Sequence, residues 1–266
     1  MADDEARNRG VVVVGWRHGP VFALTTTRLG GVSEGPYRSL NLSERVGDDD
    51  LAVHANITCL ASALGVSETN IARVRQVHGV EVVPTARGGD CSVEADGLVA
   101  AADGPVLALS IADCLAVLVH DTRTGARGAA HAGWRGTVGQ VTQRLLDTMG
   151  DIYGTHPSDC TAFLSPCVGP CCYRVPHGAE HPLTREPDVE PLLLRPTSDG
   201  HALDLVAGNT AQLLDAGLRA DRVLADRRCT ACHPELFFSY VRDRGVTGRM
   251  WALIGTNEGP CKVSLQ

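Results

Sequence analysis

A cysteine and a histidine suited to chemistry stand close together in residues 106–136, VLALSIADCLAVLVHDTRTGARGAAHAGWRG. The apolar run 115–119, the turn-like TRTG at 122–125 and the small-residue run 127–131 predict a β-hairpin. With the turn near Thr124, Cys114 lies about ten residues before it and His131 about seven after, so both side chains emerge at the same end of the ribbon. A thiolate beside an imidazole can ligate a metal, or can act as nucleophile and base.

His78, in QVHG at 76–79, offers a third group. Two imidazoles and one thiolate match the count of a catalytic zinc site, which uses three protein ligands and leaves a fourth position open. The same Cys114 and His131 would serve a metal-free nucleophile, with Asp113 or another carboxylate orienting the base. Ten histidines and ten cysteines offer many triples, so spacing leaves both chemistries open. A third possibility is a structural zinc or redox pair at the CxxC of Cys229 and Cys232, with Cys167, Cys171 and Cys172 nearby in type. No second CxxC stands at finger spacing, which makes buried free thiols the default there. A zinc cytidine-deaminase fold is disfavoured, because Ala132 and Gly133 follow His131 where H-x-E is needed, and PCVGPC replaces P-C-x-x-C.

These groups need a scaffold. Residues 10–15 and 21–27 read as strands around a His18-Gly19-Pro20 turn. The aperiodic loop 28–42 carries Gly30, Gly31, Gly35 and Pro36, and supplies Arg28 as an anion-binding group and Asn41 as an amide. Asp48, Asp49 or Asp50 caps a helix over 51–64 with Val53, Ile57, Leu60 and Leu64 inward, and Gly65 stops it. Residues 71–83 alternate like a strand, with a bulge or close backbone approach at Gly79. Residues 95–99 form a turn into a short strand. TVGQ at 137–140 has the form of a capping box, predicting a helix with Val138, Val141, Leu145 and Met149 on one face. Its first amides and Arg135 would make an anion site near His131. Further on, 162–172 is a strand and a turn, 180–196 a surface excursion, and 204–217 a helix with Leu205, Leu213 and Leu214 inward. From 237 an aromatic strand, a turn and a closing apolar strand at 251–254 follow.

The chain has 266 residues, 44% of them hydrophobic, enough for a substantial core. Its net charge of −7 and lack of a basic run exclude nucleic acids and membrane surfaces held by bulk electrostatics, but not a local basic pocket for phosphate. With no apolar leader and no membrane-length apolar run, a cytoplasmic protein with reduced cysteines is expected. No linker divides the chain, so 1–266 reads as one domain, with 1–9 a disordered tail and a monomer favoured.

Taken in order, TTRLGGVS (26–33), GPY (35–37), SLNL (39–42), QVHG (76–79), ADG (95–97), ADC (112–114), HAGWRG (131–136), GPCCY (169–173), CT (229–230), FSY (238–240) and TGR (247–249) closely resemble the YfiH family. The resemblance covers nearly the whole chain. It implies a single α/β (α+β) domain of mixed β-sheets with flanking helices, and a catalytic zinc on His78, Cys114 and His131. The implied reaction is phosphorolysis of adenosine, inosine, guanosine or S-methyl-5'-thioadenosine to a base and a ribose-1-phosphate, with adenosine deamination besides. Beside these ligands, Arg28 and Arg135 are the expected phosphate clamp, and Asn41, Gln76 and Asp113 the expected ribose or base contacts. Family members have also been labelled polyphenol oxidases or laccases, and imidazole and thiolate also suit copper. A cysteine hydrolase or amidase acting on cell-wall precursors is the metal-free alternative. Arg45, Arg174 and Val241 depart from the family pattern and bear on substrate preference.

Overall fold

Residues 10–176, 193–257 and 262–265 are described in a computed structural model of the chain. The N-terminal part runs β1 (Val12–His18), β2 (Val21–Thr26), α1 (Asp50–Leu64), β3 (Ile71–Arg75), β4 (Val82–Pro84), β5 (Gly89–Glu94) and β6 (Gly97–Ala100). Then come β7 (Val106–Ile111), β8 (Leu115–Asp121), β9 (Arg127–Ala132), α2 (Trp134–Val138), α3 (Val141–Tyr153) and β10 (Cys160–Leu164). The C-terminal part holds β11 (Arg174–Pro176), β12 (Leu194–Thr197), β13 (Gly200–Leu203), α4 (Leu205–Asp215), β14 (Val223–Ala225), β15 (Met250–Thr256) and β16 (Ser264–Leu265).

Two mixed sheets are stacked face to face. One has the order β16-β1-β2-β15-β7-β3-β5, the other β14-β10-β8-β9-β6-β4, and a small third sheet is β11-β13-β12. Central strands are apolar on both faces because both faces are covered. On β8, Ala116 and Leu118 join Leu107, Leu109, Ala252 and Ile254 in the core between the sheets. The alternate residues Leu115, Val117 and Val119 pack on α3 and α4 through Val141, Leu145, Met149, Leu205 and Leu213. On the far side, Phe22, Leu24, Ala108 and Leu253 receive Val53, Ile57, Leu60 and Leu64 of α1. The layers are therefore helix, sheet, sheet, helix, with a single α/β class as expected. Among the described residues no helix is long and apolar enough to cross a membrane.

α1 follows its sequence signals. Asp49 is the N-cap, accepting from the Leu51 amide, and Gly65 closes the helix at φ 70. The predicted hairpin is β8–β9, with Leu115 opposite Ala132 and Ala116 opposite His131. Cys114 directly precedes β8, so it and His131 do lie at one end of the ribbon.

Several expectations are corrected. Residues 71–83 are not one bulged strand: β3 lies in the first sheet and β4 in the second, and QVHG crosses between them. The capping box does not form. α2 starts earlier, at Trp134 with Gly133 as N-cap, and Gln140 at φ 61 separates it from α3. The Thr137 hydroxyl instead donates to the Gly133 carbonyl (2.9 Å) and accepts from Asn209 Nδ2 (2.9 Å), tying α2 to α4. Leu214 faces outward, 39% exposed, while Leu205 and Leu213 are buried. Residues 237–240 are irregular rather than a strand; Phe237 and Phe238 are wedged into the inter-sheet core. The loop 28–42 is packed, with Leu40 and Leu42 buried. Most of the 180–196 excursion and residues 1–9 lie outside the described residues, though Leu194 to Pro196 belong to β12.

Candidate metal centre and active-site cavity

QVHG crosses from one sheet to the other directly beneath the open end of the β8–β9 hairpin, which carries His78 to Cys114 and His131. One ligating atom from each of the three lies within 4.8 Å of the others. The two imidazoles meet edge to face with centroids 4.9 Å apart. Gly133 keeps the space clear, since a Cβ there would stand 2.9 Å from the Cys114 sulfur.

Asp96, fully buried at the entrance to β6, organises this group. Its carboxylate accepts from the backbone amides of Val77 (3.1 Å), His78 (2.9 Å) and Gly79 (2.6 Å), which fixes the crossing loop with His78 at φ 61. It also pairs with His131 Nδ1 at 2.8 Å, leaving Nε2 for the site. Burial opposes ionisation of Asp96, but His131 and these amides hold its carboxyl below the usual range. Burial likewise opposes charge at the other two groups. Even so, the Cys114 thiol falls to about 6 beside His131 and His78. The His131 imidazole rises to about 9 beside Cys114 and Asp96. Two imidazoles and a low-pKa thiol with an outer carboxylate are the donor chemistry of an open three-ligand metal site.

A cavity of about 510 Å³ opens over the three residues, a size suited to a small molecule. Arg45, Arg73, Arg135 and Arg249 and the aromatic residues Trp134, Tyr173, Tyr240 and Trp251 are among its lining residues. Arg135 lies 4.2 Å over Trp134, and Arg73 5.1 Å over Trp251. Arg249 donates to the carbonyls of Thr247 (2.9 Å) and Gly248 (3.0 Å), which fixes its fork. Four arginines outnumber the two carboxylates of the lining, Glu44 and Asp113, so this concavity is locally basic in a chain of net charge −7.

Among the predicted contacts, Gln76, Asp113 and Arg135 line the cavity, whereas Arg28 and Asn41 do not. Arg28 donates to the carbonyls of Arg38 (2.8 Å) and Pro234 (3.1 Å) and stacks over Phe238. Asn41 is buried, and its side-chain Oδ1 accepts from the Arg249 backbone amide at 2.9 Å, so it positions a wall residue. The Gln76 amide bridges both backbone groups of Ser110. Asp113 accepts from the Thr230 and Ser239 hydroxyls and the Val241 amide, and the carboxylate on His131 is Asp96 instead. The anion site expected at a helix start reduces to Arg135, because the five-residue α2 is too short to add a dipole. Asp96, Arg73, Arg249 and Tyr173 escaped sequence reasoning. The signal for Asp96 was present in ADG, since a ligating imidazole needs a carboxylate or carbonyl partner.

Residues 22–257 match the family model described as multi-copper polyphenol oxidoreductase laccase. The purine nucleoside phosphorylase YlmD of Geobacillus stearothermophilus is 39% identical over 244 residues, covering 88% of this chain and 89% of that protein. A purine nucleoside phosphorylase of Deinococcus radiodurans is 41% identical over 230 residues, covering 86% and 87%. The crystal structure of the Geobacillus YlmD superposes with a TM-score of 0.81 at 34% identity, over 92% of this chain and 100% of that one. That of the Bacillus licheniformis hypothetical protein YfiH gives 0.80 at 30%, over 89% and 93%. The chain belongs to the YfiH family. Within this YfiH-family chain, the departures Arg45 and Val241 line the cavity, while Arg174 is exposed on β11.

Proposed function

We propose that the protein is a zinc-dependent purine nucleoside phosphorylase, taking adenosine, inosine, guanosine or S-methyl-5'-thioadenosine with phosphate, and deaminating adenosine as a second reaction. The observation that carries this is one cavity in which a three-donor centre faces both guanidinium groups and aromatic rings. Phosphate needs the former and a nucleoside base the latter. Similarity over most of the chain to proteins named purine nucleoside phosphorylase supports it. His78, Cys114 and His131 would hold the zinc, which when bound would supply a Lewis acid.

In phosphorolysis a phosphate oxygen bonds to the anomeric carbon as the bond to the base breaks, and the base departs with the electron pair. Arg135, Arg249 and Arg73 hold the phosphate and offset its charge at the point of attack. Tyr240, exposed at the cavity, offers its ring to the base. Burial and the nearby Cys114 push the phenol of Tyr173, a cavity-lining residue, up to about 12. Asp96 holds the His131 ring in one orientation. Substituting His78, Cys114 or His131 singly by Ala is expected to abolish nucleoside turnover and to remove the zinc held by these three residues. Full activity in all three variants, with zinc still at this site, would sink the proposal.

The family description favours a second reading, a copper-dependent phenol oxidase, because the same donors suit copper. Multicopper electron transfer calls for more imidazoles than His78 and His131, and the only other donor cluster among the described residues is made of thiols. Copper rather than zinc in protein purified without added metal, with phenol oxidation, would select that reading. Turnover insensitive to chelators would select the metal-free cysteine hydrolase.

A further inference from the structure

Four cysteines outside the cavity meet at one point. Cys171 and Cys172 come from the turn after β10, and Cys229 and Cys232 from the CxxC before the 237–240 segment. Their four sulfurs all lie within 4.8 Å of one another. Cys232 stands 3.4 Å from Cys172 and 3.6 Å from Cys171. Around a tetrahedral zinc with bonds of about 2.3 Å, sulfurs are separated by roughly 3.8 Å, so this cluster has close to the required spacing.

The expectation of buried free thiols fails here. Cys171 and Cys232 are exposed, Cys172 is half-buried, and only Cys229 is buried; the buried Cys167 stands outside the cluster. Exposed thiols packed together are a liability in a protein that does not use them. The backbone is also shaped around them. The Gly169 amide donates to the Cys229 sulfur at 3.2 Å, a bond that favours a thiolate ligand. A Cβ on Gly169 would approach the Cys171 sulfur to 3.3 Å, so this glycine clears the cluster. A disulfide would consume two of the four sulfurs and leave their convergence unused.

We propose that Cys171, Cys172, Cys229 and Cys232 bind a second zinc ion, with four thiolates and no open position, as a structural site. It staples two irregular segments that build the cavity wall. Tyr173, next to Cys172, lines the cavity. Thr230, next to Cys229, donates its hydroxyl to Asp113, the residue before Cys114, and its amide to the Cys167 carbonyl at 3.0 Å. The ion holds these segments together; it takes no part in the reaction.

Elemental analysis of the full-length protein and its variants tests this. Cys171→Ser/Cys232→Ser protein is expected to lose one zinc equivalent relative to wild type and keep the other, whereas Cys114→Ser loses only the other. X-ray absorption of zinc in Cys114→Ser protein, whose cluster is untouched, is expected to show an all-sulfur shell at about 2.3 Å. That second measurement stands even if the double variant does not fold. Unchanged zinc in folded Cys171→Ser/Cys232→Ser protein, zinc-free Cys114→Ser protein, or a disulfide among these cysteines in the intact mass would each overturn the site. Because the two sets of variants report on different ions, failure here is distinguishable from failure of the His78, Cys114 and His131 centre.

Discussion

At the scale of single residues, Asp96 does the most to convert three donor side chains into one centre. It fixes the His131 ring and, through three amides, the loop that presents His78. Asp96→Asn is expected to weaken zinc binding about 10–100-fold, as loss of an outer carboxylate does; competition against a chromophoric chelator measures it, and unchanged affinity would deny Asp96 this role. The arginines divide by what they touch. Arg135→Ala is expected to raise KM for phosphate about ten- to hundredfold, the equivalent of roughly 1.5–3 kcal/mol for a charge-assisted hydrogen bond. Arg28→Ala should leave that constant unchanged and lower stability instead, since Arg28 lies outside the cavity lining and ties two backbone carbonyls together. Steady-state kinetics with varied phosphate separates the two. Spacing alone left many cysteine and histidine triples open, and it was the QVHG, ADC and HAGWRG motifs shared with the YfiH family that singled out His78, Cys114 and His131. Arg28 misled because a charged residue on a glycine-rich loop looks the same whether it faces a ligand or a backbone carbonyl.

At the scale of elements, the β8–β9 hairpin and α1 could be read directly, since apolar alternation, turn residues and caps all agreed. The break between α2 and α3 could not, because Thr137 spends its hydroxyl on Gly133 and Asn209, contacts that exist only after α4 has docked. The loop before α1 depends on one residue in the same way. Asn56, fully buried in α1, donates to the Ser33 hydroxyl and to the carbonyls of Ser39 and Asn41, and accepts from the Val32 amide. This holds the segment leading into Ser43, Glu44 and Arg45 of the cavity wall. Asn56→Ala strands several buried groups and is expected to cost about 2–3 kcal/mol. Chemical denaturation reads that loss, and an unaltered midpoint would show that the loop is anchored elsewhere.

At the scale of the whole molecule, the α/β class came from the motifs shared with the YfiH family, and the strands and helices read along the chain agree with it. The stacking of two sheets was not legible, because the crossing of QVHG between them looks like an interrupted strand. Charge shows the same limit. The net −7 correctly left room for a basic pocket, but Arg45, Arg73, Arg135 and Arg249 are scattered along the chain and converge only on folding. An anionic molecule with a cationic cavity should bind phosphate less tightly as salt rises, with KM for phosphate increasing between low and physiological ionic strength. A salt-independent KM would indicate that these guanidiniums do not meet the anion. The central claim is tested most directly by incubating zinc-loaded protein with a panel of purine nucleosides, with and without phosphate, and identifying the products by mass. Free base with ribose-1-phosphate only when phosphate is present is the predicted result, accompanied by phosphate-independent inosine from adenosine. Intact nucleosides under both conditions would contradict it.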